Sequence, residues 1–182
     1  MRIIAGEFRS RKIKMVPSTD TRETSDKVKG AVFNSLISKV KDGMILDLFA
    51  GSGSYGLESI SRGAKHVLFN DVKQNALITL KNNIASLSVE DKSTVWKLDY
   101  TLALKRLKEL DYKFDLIFID PPYIMDVYES IATELLDYIN DDGIIILEMD
   151  RDRVLNTSLI SNYTVDKEKV YGRKKIIFLI KQ

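Results

Sequence analysis

The sequence predicts an α/β fold: a doubly wound, mostly parallel sheet with helices on both faces. The first observation is a series of apolar runs suited to buried parallel strands, at residues 44–49, 66–69, 114–119 and 144–147, with a weaker run at 94–98. The second is that helical patterns lie between these runs. Repeated β-α units of this kind put helices on both sides of the sheet and a ligand at the carboxyl ends of its strands.

The third observation is that the chain closes differently from the way it begins. Residues 163–170 and 174–180 are strand-like and flank the short turn Tyr171-Gly172-Arg173. A short turn with glycine between two such segments is typical of an antiparallel hairpin. With the five earlier strands, the hairpin predicts a sheet of seven strands.

The N-terminal part of the chain adds a hairpin and a helix. Gly6 centres a basic segment that fits a short hairpin. Thr24 or Ser25 can cap a helix. The apolar stripe of that helix runs through Val28, Val32, Leu36 and Val40. We therefore divide the chain into a basic N-terminal extension, residues 1–24, and one α/β domain, residues 25–182.

Composition favours a single domain and excludes several kinds of chemistry. The 182 residues with 45% apolar content suffice for one buried core but not for two large domains. No apolar stretch approaches the roughly 18 residues that span a bilayer, and the charged N-terminus is unlike a signal peptide, so we expect a cytoplasmic protein. The chain has no cysteine and one histidine, His66, which excludes disulfides and makes a metal site unexpected.

The net charge of +2 is distributed unevenly along the chain. Residues 1–16 carry five basic side chains against one acidic, and residues 166–182 carry six against two, which leaves the middle acidic. Basic ends on an acidic core suggest that the ends contact a polyanion, in which case binding would depend strongly on salt. The alternative is that these are solvated cations on exposed strands.

A glycine-rich motif follows the first predicted strand, in the run Asp47-Leu-Phe49-Ala-Gly51-Ser-Gly53-Ser-Tyr-Gly56. Glycines permit a tight turn and a close approach of the ligand to the backbone. The backbone amides at the start of the next helix can donate hydrogen bonds to polar groups of the ligand. The glycine spacing also matches the dinucleotide fingerprint. Asp47 would repel a pyrophosphate but could pair with the ammonium of a methionine moiety, so we predict S-adenosylmethionine as the cofactor. The alternative is an ordinary glycine-rich β-α turn.

Two further carboxylates follow neighbouring strands. Asp71 ends the second strand, where a carboxylate can accept both hydroxyl protons of a ribose. Asp99 closes the weaker strand on the same edge and could reach an adenine amino group. Because single surface aspartates are common, Asp99 alone fits a structural role nearly as well.

The most specific motif is Asp120-Pro121-Pro122-Tyr123, at the carboxyl end of a very apolar strand. Two prolines stiffen the turn and remove two amide donors, so carbonyl groups and Asp120 can accept hydrogen bonds from an amino group. Tyr123 supplies a stacking face for a base taken out of its stack. The absence of cysteine argues against methylation at a pyrimidine carbon, which usually needs a thiolate, and leaves a nitrogen target. The alternative is a rigid turn that merely ends a strand.

Together these residues resemble the bacterial 16S ribosomal RNA guanine-N2 methyltransferases of the small-subunit type D group, over nearly the whole chain. The matching pieces are Arg2-Ile-Ile-Ala-Gly6, Arg9, Arg11-Lys12, Thr21-Arg22, Thr24, Asp26, Phe33-Asn34, the glycine run, Gly56-Leu-Glu58, Ser61-Arg-Gly-Ala64, Asp120-Pro-Pro-Tyr123 and Tyr171-Gly172. Two positions depart from the family, since Glu23 stands in place of proline and Asp71 in place of glutamate.

The resemblance implies a Rossmann-like class I fold that binds S-adenosylmethionine without a metal and methylates a guanine N2 of 16S rRNA. It implies a substrate within the small subunit or an assembly intermediate, and we expect the protein to be a monomer. The cofactor residues would be Asp47, Phe49, Gly51, Gly53, Asp71 and Asp99, and the catalytic ones Asp120, Pro121, Pro122 and Tyr123. The expected phosphate contacts near the mouth of the site are Arg9, Arg11, Lys12, Arg22, Arg173 and Lys174, with Tyr171 beside the target.

Three other classes of protein remain open. A DNA adenine-N6 methyltransferase shares the chemistry, but such enzymes usually carry an added recognition domain. A nicotinamide dehydrogenase fits the glycine spacing yet explains neither Asp47 nor the turn at Asp120. A non-catalytic RNA-binding assembly factor could retain the fold, although the intact Asp47 and Asp120 argue against a degenerate enzyme.

Overall fold

The structure, a computed structural model, describes residues 1–17 and 25–182. Its strands are β1 (Met44–Asp47), β2 (His66–Asn70), β3 (Ser93–Trp96), β4 (Phe114–Ile119), β5 (Ile139–Asp150), β6 (Tyr163–Tyr171) and β7 (Lys174–Lys181). They form one seven-stranded sheet in the order β3-β2-β1-β4-β5-β7-β6. The first five strands run parallel, and β7 pairs antiparallel with both β5 and β6. The mostly parallel sheet and the terminal hairpin are therefore confirmed, and the strand order changes direction between β1 and β4, where such sheets bind ligands.

The helices cover both faces of the sheet. They are α1 (Asp26–Asn34), α2 (Ile37–Val40), α3 (Ser54–Ser61), α4 (Gln74–Leu87), α5 (Tyr100–Leu107) and α6 (Tyr128–Glu134), with 3₁₀ turns at Glu90–Lys92 and Thr157–Ile160. The first four helices share one apolar core, which includes Phe69 and Phe118 of the sheet. The other two pack on the opposite face, against residues such as Ile117 and Leu147. Since alternate side chains enter opposite cores, the parallel strands are apolar at nearly every position.

The N-terminal segment folds back as the predicted hairpin, and it packs on α3. The amide of Ile3 donates to the Arg11 carbonyl at 2.9 Å, and the amide of Ser10 donates to the Ile3 carbonyl at 2.9 Å. Ile3 and Ile13 are buried in the core shared with α1–α4. Gly6, at φ +85°, lies so close to α3 that a Cβ there would stand 1.8 Å from the Ser61 carbonyl oxygen.

The helix expected to run through Val40 is interrupted. Ser25 caps α1 by accepting from the Val28 amide, as one of the two alternatives predicted, but the helix ends at Asn34 and a separate turn forms α2. The Ser35 amide turns to the Val32 carbonyl three residues back, which closes the helix. Asparagine and serine are weak helix formers because their side chains compete for backbone groups. The stripe from Val28 to Val40 is nevertheless buried as predicted.

Among the helices of the described residues, not one combines the length and the apolar character needed to cross a membrane.

Candidate active site

The candidate site lies at the carboxyl ends of the parallel strands. The loops that follow β1 to β5 (residues 48–53, 71–73, 97–99, 120–127 and 151–156) meet at this edge of the sheet, and we call them the rim. Asp47 lies opposite Phe69 of β2 and Phe118 of β4, so the glycine loop and the Asp120 turn follow adjacent strands. The structure thus brings the four predicted aspartates to one edge.

The glycine run forms a tight loop in which the three glycines differ in their surroundings. Gly51 and Gly53 have φ of +53° and +85°, a conformation that favours glycine. At Gly51 a Cβ would meet no heavy atom within 4 Å, so this face of the loop is open. At Gly53 and Gly56 a Cβ would come within 2.5 Å of Leu80 and 2.1 Å of Phe69. Gly51 therefore leaves space for a ligand, whereas the other two permit close helix packing.

Asp47 is almost fully buried beneath this loop, at 3% exposure. Its Oδ2 accepts a hydrogen bond of 3.0 Å from the amide of Gly56, in the first turn of α3. Burial raises the pKa of Asp47 to about 7; the Gly56 hydrogen bond lowers the pKa, and the nearby Asp71 raises it further. The carboxylate therefore lies in surroundings that disfavour its charge unless a cation is close.

Asp71 and Asp99 lie on the two next loops. Asp71 accepts hydrogen bonds of 2.8 Å each from the amides of Gly51 and Lys73, which fix its carboxylate against the glycine loop. Asp99 caps α5 and accepts from Thr101 through its amide at 2.9 Å and its hydroxyl at 2.6 Å. Those hydrogen bonds hold the pKa of Asp99 below its usual value. Phe49 packs against Tyr100, the first residue of α5, with ring centroids 5.8 Å apart.

Asn70, which the sequence analysis did not single out, joins these loops. Its Nδ2 donates to the carbonyls of Leu48 at 3.2 Å and Leu98 at 3.1 Å, and so ties the ends of β1 and β3 to β2. Within the described residues its buried Oδ1 has no hydrogen-bond partner. Buried acceptors are normally satisfied, so this one marks a place for a donor.

The Asp120 turn presents two large side chains at the rim. The Met125 amide donates to the Pro122 carbonyl at 2.8 Å and closes a turn with Tyr123 and Ile124 at its centre. Tyr123 is 45% exposed and Ile124 is 94% exposed. Pro121 is buried and Pro122 is exposed, so the turn is anchored at its first proline. Apolar turn centres are unusual, because turns are normally built from small polar residues.

Asp120 itself is half-buried at the base of this turn. Burial raises the pKa of Asp120 well above its usual range, Glu148 and Asp47 raise it further, and Lys174 acts in the opposite direction. A hydrogen bond from a donor stabilises a carboxylate in such surroundings more than it stabilises a carboxylate in water.

The sequence analysis missed three side chains behind Asp120, those of Glu148, Tyr55 and Tyr128. Glu148, at 1% exposure, accepts at Oε2 from the Tyr55 hydroxyl at 2.6 Å, and its backbone carbonyl accepts from the Tyr128 hydroxyl at 3.0 Å. The signal for Glu148 was present, since an acidic residue directly follows the apolar run 144–147. Lys174 donates to Glu148 Oε1. Lys174 was expected at a phosphate, but its ammonium points inward and is held by this carboxylate.

The remaining basic residues form two separate groups. Arg173 is exposed in the β6–β7 turn, and its carbonyl accepts from the Arg151 amide at 2.8 Å, which sets this turn at the rim beside half-buried Tyr171. Arg9, Arg11 and Lys12 are exposed on the N-terminal hairpin. Arg22 lies outside the described residues.

The N-terminal hairpin contacts the carboxyl ends of α3 and α4 at its tip and the glycine loop through its second arm. Its tip, residues 6–10, contacts the carboxyl end of α3, and Arg11 donates to the Ser86 carbonyl at 2.8 Å near the carboxyl end of α4. The second arm of the hairpin reaches the rim. The Lys14 amide donates to Asn83 Oδ1 at 2.8 Å, and Asn83 Nδ2 donates to the carbonyls of Lys14 and of Ser52, in the glycine loop, at 2.9 Å each. Contacts of Arg9, Arg11 and Lys12 with phosphates near the mouth of the site stay a prediction.

In the described part of the chain, no group of histidine or acidic side chains is arranged to hold a metal ion.

Comparison with known sequences gives a consistent family. The family model described as Conserved hypothetical protein 95 matches residues 1–180. A protein named Putative rRNA methyltransferase YlbH, from Bacillus subtilis, is 35% identical over 94% of this chain and 94% of its own. Ribosomal RNA small subunit methyltransferase D from Haemophilus influenzae is 33% identical over 94% of this chain and 89% of its own.

Solved structures agree on the fold. The structure titled Putative methyltransferase yhhF from Escherichia coli superposes with a TM-score of 0.87 at 28% identity, and covers 100% of this chain and 98% of that one. A putative methyltransferase complexed with SAH, 14% identical, shares the fold at a TM-score of 0.69 over 82% of this chain and 48% of its own. The sheet is thus the Rossmann-like sheet of class I methyltransferases, and the chain belongs to the Conserved hypothetical protein 95 family, that of the type D ribosomal RNA small subunit methyltransferases.

Proposed function

We propose that this protein transfers a methyl group from S-adenosylmethionine to the exocyclic N2 amino group of a guanine in 16S rRNA. The observation that carries the proposal is the position of the Asp120 turn. Its carboxylate and the exposed ring of Tyr123 follow β4, while the open glycine loop follows the adjacent β1. A base held by the turn would therefore stand beside a cofactor held by the loop.

The rim offers a fitting set of groups for the cofactor. The open face of Gly51 accommodates a close ligand, and Asp71, fixed by two amides, has lone pairs left for ribose hydroxyls. Asp47 would be compensated by the ammonium of the methionine moiety. Asp99 and Phe49 border the adjoining loop, where the unpartnered Asn70 Oδ1 suits a donor such as an adenine amino group. Bound there, S-adenosylmethionine supplies a methyl group activated by a sulfonium; the SAH complex of a protein with this fold supports the choice.

The protein's own residues would prepare the amino group of the base. Guanine N2 is a poor nucleophile because its lone pair is delocalised into the ring, so positioning must supply much of the rate. Asp120 and the carbonyls of the proline turn would accept its protons, and Asp120 would stabilise the positive charge that develops on nitrogen. Tyr123 would stack on the base once it leaves the RNA helix. The methylated nitrogen then loses its proton readily, without a strong general base.

The RNA would contact more than the mouth of the site. Arg173 in the β6–β7 turn lies at the rim, with Tyr171 beside it, whereas Arg9 and Arg11 lie at the far ends of α3 and α4. Phosphate contacts at both groups, together with Lys12 and Arg22, would extend the RNA footprint from the rim onto the N-terminal hairpin. The names of the relatives support ribosomal RNA as the substrate, and we propose that a monomer acts on the small subunit or an assembly intermediate in the cytoplasm.

The direct test is transfer of labelled methyl from S-adenosylmethionine to small subunits that lack the mark, beside naked rRNA and duplex DNA, followed by nucleoside analysis. We expect N2-methylguanosine with the wild type. Asp120→Asn should lower the rate by about 10²-fold or more, since it removes the charge that favours the transition state. The matched control is Asp166→Asn, which changes an exposed carboxylate on β6.

Label in DNA adenine alone would replace the substrate with DNA. An absence of label in every substrate, despite binding of S-adenosylhomocysteine, would favour the non-catalytic assembly factor. Equal rates for Asp120→Asn and the control would remove Asp120 from the mechanism.

A further inference from the structure

A buried polar cluster lies behind the Asp120 turn, on the face of the sheet that α1–α4 cover. Its members come from β1, α3, the turn after β4, β5 and β7, and they are Asp47, Tyr55, Asp120, Glu148 and Lys174. Tyr55 stacks on Phe118 with ring centroids 4.6 Å apart, which fixes the hydroxyl that Glu148 accepts. The cluster is therefore held by aromatic packing as well as by hydrogen bonds.

Strand register explains why Asp120 and Glu148 are neighbours. Ile119 of β4 pairs with Leu147 of β5, so the next residues along each strand are Asp120 and Glu148. Residues at matching positions of adjacent parallel strands point to the same face of a sheet. Two carboxylates side by side repel each other, and burial increases the repulsion.

Lys174 supplies the opposing positive charge. It follows the two-residue turn of the hairpin and pairs with Asp150 in register, so its side chain reaches back along β5 to Glu148. The ammonium is largely buried, at 13% side-chain exposure, and Glu148 is at 1%. The charged and titratable groups that face Asp120 are thus Asp47 from β1, Tyr128 from α6, Glu148 from β5 and Lys174 from β7, with Tyr123 on its own turn.

We propose that Lys174, held by Glu148, is a positioning residue for methyl transfer: its ammonium keeps the Asp120 carboxylate ionised and turned toward the amino group of the substrate. The proposal rests on the proposed function for the identity of the reaction. It assigns a role to a lysine that touches neither substrate nor cofactor, and it makes the C-terminal hairpin a part of the active site.

The kinetic test is the pH dependence of single-turnover methyl transfer. Lys174→Met removes the charge at nearly constant length, so Asp120 should bind its proton more tightly and the acid limb should move to higher pH by about one unit or more. Lys174→Arg should return the limb toward the wild type. The matched control is Lys175→Met, whose ammonium donates to the Arg153 carbonyl at 2.7 Å, and its limb should not move. An unchanged acid limb in a folded Lys174→Met would overturn the proposal.

A second readout needs no methyl transfer. In protein labelled with ¹³C at the aspartate carboxyl carbons, the Asp120 signal is identified by its absence in Asp120→Asn, and its titration is followed by NMR. We expect its midpoint to rise in Lys174→Met and to fall in Glu148→Gln, which removes the neighbouring negative charge but keeps an acceptor for Tyr55. Midpoints equal to the wild type in both variants would refute the role of Lys174.

The two readouts separate this proposal from the proposed function. A wild type that methylates no RNA, but whose Asp120 midpoint moves as stated, would refute the function and support the charge coupling. If Lys174→Met does not fold, as thermal unfolding would reveal, Glu148→Gln and Lys174→Arg carry the NMR test alone.

Discussion

The carboxyl group of Asp47 is buried, and its burial disfavours the ionised form. Its pKa is raised by burial from 3.8 to about 7, whereas in the unfolded chain it ionises near 3.9. At pH values between these two pKa values, Asp47 is protonated in the native state and ionised in the unfolded state. The free energy of unfolding therefore falls as pH rises through this window, by up to about 4 kcal/mol at about 1.4 kcal/mol per pH unit.

We predict that Asp47→Asn gains stability relative to the wild type as pH rises from 5 to 8, because the amide never has to be charged in the core. The measurement is denaturant unfolding of both proteins at several pH values. Asp120, whose pKa is also raised by burial, contributes in the same direction in both proteins. Because the Asp47 charge raises the pKa of Asp120 further, its removal reduces the Asp120 contribution and adds to the gain. Parallel stability curves for the two proteins would show that Asp47 titrates normally.

At the level of single residues, the sequence indicates groups that stand next to recognisable turns. Asp47, Asp71 and Asp120 could be identified because each ends a strand beside glycine or proline punctuation or at a sheet edge. Glu148, Tyr55 and Lys174 could not be joined to them, because their contacts depend on the register of β4, β5 and β7. That register is set by the packing of the whole sheet.

Helix α3 connects the glycine loop to the core, and Gly56 in its first turn is pressed against β2. A Cβ at this position would lie 2.1 Å from Cε1 of Phe69 and 2.8 Å from Cγ1 of Val67. Phe69 is fully buried, so its ring has no room to move away from an added Cβ at position 56. The element as a whole would have to shift away from the sheet.

We predict that Gly56→Ala destabilises the protein by about 2–3 kcal/mol, as overpacking of a filled core does. Gly30→Ala in α1 is the matched control, since its Cβ would meet only Ile4 Cγ2 at 3.6 Å. That change should leave stability unchanged or raise it by up to about 1 kcal/mol through helix propensity. Denaturant unfolding of the two variants measures the contrast, and equal effects would contradict the packing argument.

Among the elements, long apolar runs were predicted well and the ends of helices were not. The run 114–119 became β4 with the predicted bounds, whereas the stripe from Val28 to Val40 was divided between α1 and α2. A buried stripe needs only the right spacing of apolar residues, and a tight turn at Ser35 preserves that spacing. Periodicity alone therefore could not show the break.

The basic residues at the two ends of the chain form two groups in the folded molecule. One group, at the β6–β7 turn, lies at the rim, and the other lies on the N-terminal hairpin, beside the carboxyl ends of α3 and α4. The sequence predicted both groups as basic ends. The packing of the hairpin on α3 and α4 could not be predicted, because it depends on contacts distant in sequence, such as those of Asn83 with Lys14 and Ser52.

We predict that the double change Arg9→Glu and Arg11→Glu weakens binding of small-subunit rRNA. The slope of log affinity against log salt should fall by about 0.7–0.9 for each phosphate that the protein no longer neutralises. The control is Lys105→Glu with Lys108→Glu, which alters one exposed lysine in α5 and one directly after it, on the other face of the sheet. Filter binding at several salt concentrations gives both slopes. Equal slopes for the wild type and the N-terminal variant would exclude the hairpin from the RNA footprint.

The insertion of β7 between β5 and β6 has a consequence for how the protein opens. Among the described strands β6 pairs with β7 alone, so the hairpin can detach from β5 as one cooperative unit, a partial unfolding that amide hydrogen exchange would detect. The same opening uncovers the edge of the 12-residue strand β5, which could then pair with another chain. It also carries the Lys174 ammonium away from Glu148. Aggregation of this protein and loss of its active-site charge balance would therefore begin with a single local event.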